Sequence, residues 1–242
     1  MRTEKRSRLS SALLSAGVLL SASLAAGGHD GGSLTTVPAS TFPVGPEICK
    51  PGYAEPQCRA VPFDTTDDLA FSGNGDARPA VAKDDIIGFP TIHQPQFAND
   101  GYYGNGASWI SNSTDSWVKV DLGRHVHINR LTLGRDRTGG YDDRDPGQFT
   151  IAVAKSDNVY ANGDDTNDAN EYKQVFNSAD FGFSGDIVGS QTLQAKFQSV
   201  KARYVKVTAH NAGTDFDEIQ VFGHSHGEGD SQDDDNNDDN ND

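Results

Sequence analysis

Basic residues are scarce in this chain of 242 residues: 20 lysines and arginines stand against 35 aspartates and glutamates, for a formal net charge of −15. The deficit is uneven. Residues 1–26 hold four bases and one acid, and residues 224–242 hold eight acids and no base, so the stretch between carries −15 − 3 + 8 = −10. A sequence without a basic arm or run has little with which to release counterions from phosphates, which argues against nucleic acid or anionic lipid as the main partner. Long apolar runs are lacking too. The most hydrophobic stretch, SALLSAGVLLSASL, is broken by serines and falls short of the roughly 20 residues a membrane span needs. Also missing are a nucleophile elbow, an HExxH helix, a phosphate-binding loop and a dinucleotide fingerprint. Asp142 and Asp143 are acids side by side, but neighbours on an extended backbone point to opposite sides, which is poor geometry for shared acid–base work. A non-catalytic protein is expected.

Arg2, Lys5, Arg6 and Arg8 precede the apolar run, and the small residues around Ser23–Ala25 follow it. This is the pattern of a signal peptide over 1–26, with an uncleaved anchor as the alternative. The expected location is secreted and extracellular, or periplasmic. Only two cysteines occur, Cys49 and Cys58, bracketing the turn-rich KPGYAEPQ. In an oxidising compartment they read as a small disulfide ring; a zinc site would need a second pair of ligands nearby. Residues 27–62, rich in Gly, Pro, Ser and Thr, read as a disordered spacer carrying that ring. Residues 63–223, about 160 in number, are enough for one core. The tail 224–242 has no apolar residue and reads as disordered, serving solubility or contact with cations or a basic surface. His224 and His226 within it are a loose His-x-His.

Within 63–223 the period is two. SWVKVDLG alternates Val118, Val120 and Leu122 against Trp117, Lys119 and Asp121, and FTIAVAKS alternates Phe149, Ile151 and Val153 against Thr150, Ala152 and Ala154. INRLTLG, QTLQAKF, ARYVKVTAH and EIQVFG are further β-like runs between Gly, Asn and Asp clusters, and no stretch of helical length shows a 3.6-residue stripe. The expected fold is all-β, an antiparallel β-sandwich. Trp109 and Trp117 are expected in its core. Asp121 with Gly123 signals a turn, and Arg203 is expected to pair with an acid of a facing turn. DNVYANGDDTNDANE lacks the glycine and terminal glutamate offsets of an EF-hand loop and reads as a long solvated loop. His93, His125, His127 and His210 are scattered. Asn112-Ser113-Thr114 matches a glycosylation acceptor pattern.

ANDGYYGNGASWIS, SWVKVDLGRHVHINRLTLGRDR, FTIAVAKS, KARYVKVTAHN and DEIQVFG, in that order over about 80–223, resemble the discoidin-like or coagulation factor V/VIII C-type domain, and with it the bacterial family 32 carbohydrate-binding modules. The resemblance implies a galactose-binding-like jelly roll that binds sugars, phospholipid headgroups or proteins with loops at one end. It also implies a structural Ca²⁺ held by Asp100, Asn105, Ser108 and Glu218, chemistry that suits a hard cation in a Gly-rich turn. Asp100 stands two residues further from Trp109 than is usual there, and Ala107 takes the place of a threonine. The alternative is a tight turn with Glu218 ion-paired to an arginine such as Arg203.

Between two strands lies GRDRTGGYDDRDPG, Gly134 to Gly147, with three arginines and four aspartates around a tyrosine. By the same resemblance, Tyr141 offers a ring to a pyranose while Arg137, Arg144 and Asp142 bind its hydroxyls, joined by Tyr103 (with Tyr102) from the DGYYGNG turn. The competing reading is an ion-pair lattice that fixes the loop, especially at Arg135 and Asp136. The expected function is non-catalytic binding of a carbohydrate or glycoconjugate at a cell surface or in extracellular matrix. Alternatively the same loops serve adhesion to a protein partner, with the acidic tail on cations or a basic surface.

Overall fold

The computed structural model describes residues 32–38, 48–50, 57–59, 67–84, 92–102, 108–134, 144, 147–160, 168–183 and 191–224. Residues 1–26, read from the sequence as a signal peptide, and the tail beyond His224 lie outside them. In chain order the elements are β1 (Ser33–Pro38), β2 (Ile48–Lys50), β3 (Gln57–Arg59), β4 (Val81–Ala82), β5 (Trp109–Ile110), β6 (Ser116–Gly134), β7 (Phe149–Ala154), the short helix α1 (Asp168–Glu171), β8 (Lys173–Asn177), β9 (Gln191–Ala209), β10 (Asp215–Phe216) and β11 (Glu218–His224).

Two 19-residue strands, β6 and β9, organise the molecule. They run antiparallel, and their ladder is interrupted between Asp121 and Val126. Gly123 sits at the interruption with φ +76°, and a Cβ on it would stand 2.0 Å from the Asp76 carbonyl oxygen, so a side chain has no room. Before the bend β4 flanks β6, and β7 then β8 flank β9; beyond it β11 flanks β6 and β1 flanks β9. The same two strands therefore pass through both layers. Val118, Val120 and Leu122 from one layer and Ile128, Leu131, Leu133, Leu193, Ile219 and Val221 from the other share one buried cluster. The chain is an all-β antiparallel sandwich of jelly-roll type, as the period-two pattern requires.

Three features depart from the sequence expectations. The runs SWVKVDLG and INRLTLG are halves of one bent strand, as are QTLQAKF and ARYVKVTAH. Ser33–Pro38, placed by composition in the spacer 27–62, is a strand of the main sheet with Leu34 packed against the core; Leu34 and Val37 stand three apart among short polar residues and give no period-two signal. The third concerns DNVYANGDDTNDANE, which is not simply a solvated loop. Asp157, Tyr160 and Asp168 within it are buried, and they cover the polar face of β6.

That second face is charged and buried. Lys119, fully buried, places Nζ 2.9 Å from Asp157 and 2.7 Å from Asp168. Lys206, its Cα partner on β9, also bonds Asp168, and the Tyr172 hydroxyl donates to Asp157 at 2.8 Å. Lys119 Nζ also stands 4.7 Å from the centre of the buried Trp117 ring. Burial and the neighbouring carboxylate push the Tyr172 phenol far above its usual range.

β2 and β3 form a separate antiparallel pair in which Cys49 and Cys58 are Cα partners.

Candidate functional site at the rim

The end of the sandwich opposite the bend is where β6 ends at Gly134 and β7 begins at Phe149. Of the charged loop between them, Arg144 is described; Tyr141, Arg137 and Asp142, like Tyr103 and Asn105 in the DGYYGNG turn, lie outside the described residues. Arg144 reaches the turn after β9. Its Nη1 stands 3.5 Å from where a Cβ on Gly213 would be. Gly147, with φ +63°, lies so close to Asn211 that a Cβ there would overlap its side chain, at 2.3 Å from Cγ.

Residues 211–214 are held by Ser111. Its hydroxyl donates to the Asn211 carbonyl at 3.3 Å and accepts from Thr214 N at 3.0 Å, and its backbone bonds Gly213 N and the Thr214 carbonyl. Thr214 Oγ1 closes the turn on the Asn211 carbonyl at 3.0 Å. Thr214 leads into β10 and Ser108 into β5, and these short strands pair with Trp109 stacked on Phe216, ring centres 5.8 Å apart. Trp109 is fully buried, as expected of a core residue, and its indole donates to the Asp84 carbonyl at 2.6 Å.

His93 joins this group. It forms a parallel bridge with Ser108, and its Nδ1 lies 2.9 Å from Ser108 Oγ. Burial first, and then the Arg144 charge, lower its pKa to about 4. The imidazole is therefore neutral at ordinary pH and both donates and accepts, as does a hydroxyl-bearing ligand. A folded-state pKa below the unfolded value of about 6.5 means that the unfolded chain takes up the proton first. Its contribution to stability is thus full above about pH 6.5 and is lost as pH falls toward 4. Urea midpoints measured between those values should fall more steeply for the native chain than for His93→Gln; equal slopes would contradict the assignment.

Of the four residues expected to hold calcium, Asp100, Ser108 and Glu218 are described. Asp100 and Glu218 come together, since Gly101 N donates to Glu218 Oε2 at 2.8 Å and Tyr102 N to Asp100 Oδ1 at 2.9 Å. Glu218 is buried at the start of β11. Ser108 instead faces His93. The alternative pairing of Glu218 with Arg203 does not form: Arg203 binds Asp121 through two bonds, at 2.8 and 3.0 Å, at the bend end, where Gly123 N also donates to Asp121. The arginine-to-turn pairing expected from sequence is therefore present.

Arg144 was legible in the sequence as part of a charged loop. His93, Ser111, Asn211 and Thr214 were not, because no local spacing links them; the fold alone joins positions about a hundred residues apart. Among the described residues no three His, Cys, Asp or Glu side chains cluster as a metal centre. Nor is any described helix long and apolar enough to cross a membrane.

No protein-family model matches the chain, and no curated protein matches it. Solved structures do. A CBM32 module from Clostridium perfringens, in complex with GalNAc-β-1,3-galactose, is 18% identical over 64% of this chain and 99% of its own, with a TM-score of 0.48. A fucolectin from striped bass (Morone saxatilis) serum is 15% identical over 69% of this chain and 51% of its own, TM-score 0.47. Chitosan-binding module 1 of a chitosanase/glucanase from Paenibacillus sp. IK-5 is 19% identical over 64% of this chain and 98% of its own, TM-score 0.44.

Proposed function

We propose that this chain is an exported, non-catalytic carbohydrate-binding module whose ligand sits at the rim. One observation carries the reading. Arg144, the neutral His93 bound through Nδ1 to Ser108, and the Asn211–Thr214 turn lie together beside the β5–β10 pair, so an arginine fork stands next to a polar turn, a combination suited to vicinal hydroxyls. Tyr141, Arg137, Asp142 and Tyr103 complete the proposed site, with Tyr141 against the apolar side of the sugar. A glycan array probed with the full chain tests this. Saturable capture of a saccharide is expected; an empty array together with specific recovery of one protein partner would transfer the same loops to protein recognition.

Export is supported by the leader pattern of residues 1–26, and a Cys49–Cys58 disulfide by their facing positions on β2 and β3.

A structural Ca²⁺ belongs to the same proposal. Asp100 and Glu218 suit a hard cation, and the adjoining Gly-rich turn would supply carbonyl oxygens. An ion at about a hundred times its dissociation constant contributes about 2.7 kcal/mol, and a domain of this size gains about 2–4 °C per kcal/mol. Chelator should therefore lower the melting temperature by about 5–10 °C in the native chain and have no effect on Glu218→Gln; an unchanged native melt contradicts the ion.

A further inference from the structure

Although the sequence is acidic, the bend end of the sandwich gathers its bases. Lys201 on β9 and His224 on β11 are both Cα partners of His127 on β6, so the three strands meet there side by side. Arg124 lies three residues before His127, and His125 Nε2 is 3.0 Å from the Lys155 carbonyl. Arg203 and Arg78 sit on Asp121, and Arg124 faces Asp76 at 3.5 Å with both side chains exposed. Lys155 and Lys201 are exposed and have no carboxylate partner among the described residues. Five bases here, Arg78, Arg124, Lys155, Lys201 and Arg203, are answered by two paired carboxylates, of which Asp121 is buried. The opposite end carries Asp84, Asp100, Asp115, Asp215, Asp217 and Glu218 alongside Lys83 and Arg144.

Residues 225–242 leave β11 at this basic end, carrying eight acids and no base. We propose that this segment docks in cis on the basic end, over Lys201, Lys155 and Arg124, as an electrostatic cover. Its attachment beside Lys201 keeps its carboxylates at about millimolar effective concentration there. Each exposed contact contributes under about 1 kcal/mol, so the association is a sum of many weak pairs and salt dissolves it. The segment has no apolar residue with which to bind otherwise. An occupied basic end is also withheld from outside polyanions.

Carbodiimide coupling of the full chain, followed by peptide mapping, tests the contact. At about 10 mM salt, where the Debye length is about 30 Å, a carboxylate of 225–242 should be joined to Lys155 or Lys201 within the monomer; at about 1 M, where it is about 3 Å, that product should be lost. Lys83, beside Trp117 at the rim end, is the internal control. Equal coupling to Lys83, coupling only between molecules, or none at low salt overturns the proposal. A chain ending at His224 should also elute later than the full chain from a heparin column at low salt, and Lys155→Glu with Lys201→Glu should remove that difference. Equal elution of the two lengths counts against the cover.

Discussion

Lys119→Met should destabilise the sandwich by about 3–5 kcal/mol, the range found when one member of a buried ion pair is removed. The reason is local. Lys119 is fully buried and is shared by Asp157 and Asp168, so the neutral side chain leaves three ionised groups, two carboxylates and Lys206, in a site built for four. Asp157 then keeps the Tyr172 hydroxyl as its side-chain donor in that cluster. The stem of methionine preserves most of the contact with Trp117, which separates the charge effect from packing. Urea unfolding gives the measurement: a lower midpoint with an unchanged slope is expected. Adding Asp157→Asn should return part of the loss, because the remaining Lys206–Asp168 pair is neutral overall. The exposed Lys201→Ala should stay within about 0.5 kcal/mol of the native chain. If Lys119→Met were as mild as Lys201→Ala, the 157–172 segment would not be sealing that face.

Arg144→Ala should weaken saccharide binding by about 10- to 150-fold, the equivalent of about 1.5–3 kcal/mol for hydrogen bonds from a charged donor. Thermal stability should stay nearly unchanged, since Arg144 is partly exposed and lies on a loop. Arg144→Lys keeps the charge but not the planar two-donor fork, so it should recover only a minor part of the affinity. The distinction matters. In the competing reading of the charged loop as an ion-pair lattice, Lys would substitute well and the loss would appear in the melt, not in binding. Calorimetric titration of the three proteins with the best saccharide from the array separates the two.

How much of this was legible beforehand depends on how local each signal is. The apolar halves of β6, β7 and β9 were readable because alternation is a property of adjacent residues. The other face of β6 was not. Trp117, Lys119 and Asp121 have the alternation of a wetted surface, and only the placement of Asp157 and Asp168 on two lysines reveals that it is buried. The bend at Gly123 looked like a turn between strands because a glycine after Asp121 serves either purpose. Arg144 stood out as one charge among many, whereas His93 needed the bridge to Ser108 to become part of the rim. The basic end was hidden for the same reason: its bases are spread from Arg78 to Arg203 and are joined only where three strands meet at His127.

On the proposed function, the loops around Arg144, and not the sheets or the side of the sandwich, hold the ligand. A recess of about 360 Å³ between β8 and β9, lined by Phe176, Phe181, Phe197, Gln174 and Gln198, offers a contrasting location within the same molecule. Titrating the isotope-labelled chain with the captured saccharide and following backbone amide shifts decides between them. Saturable shifts are expected at His93, Ser108, Arg144, Gly147 and Asn211–Thr214, and none in Arg144→Ala. Shifts centred on Gln174–Asn177 and Gln198–Val200, with the rim silent, would contradict it.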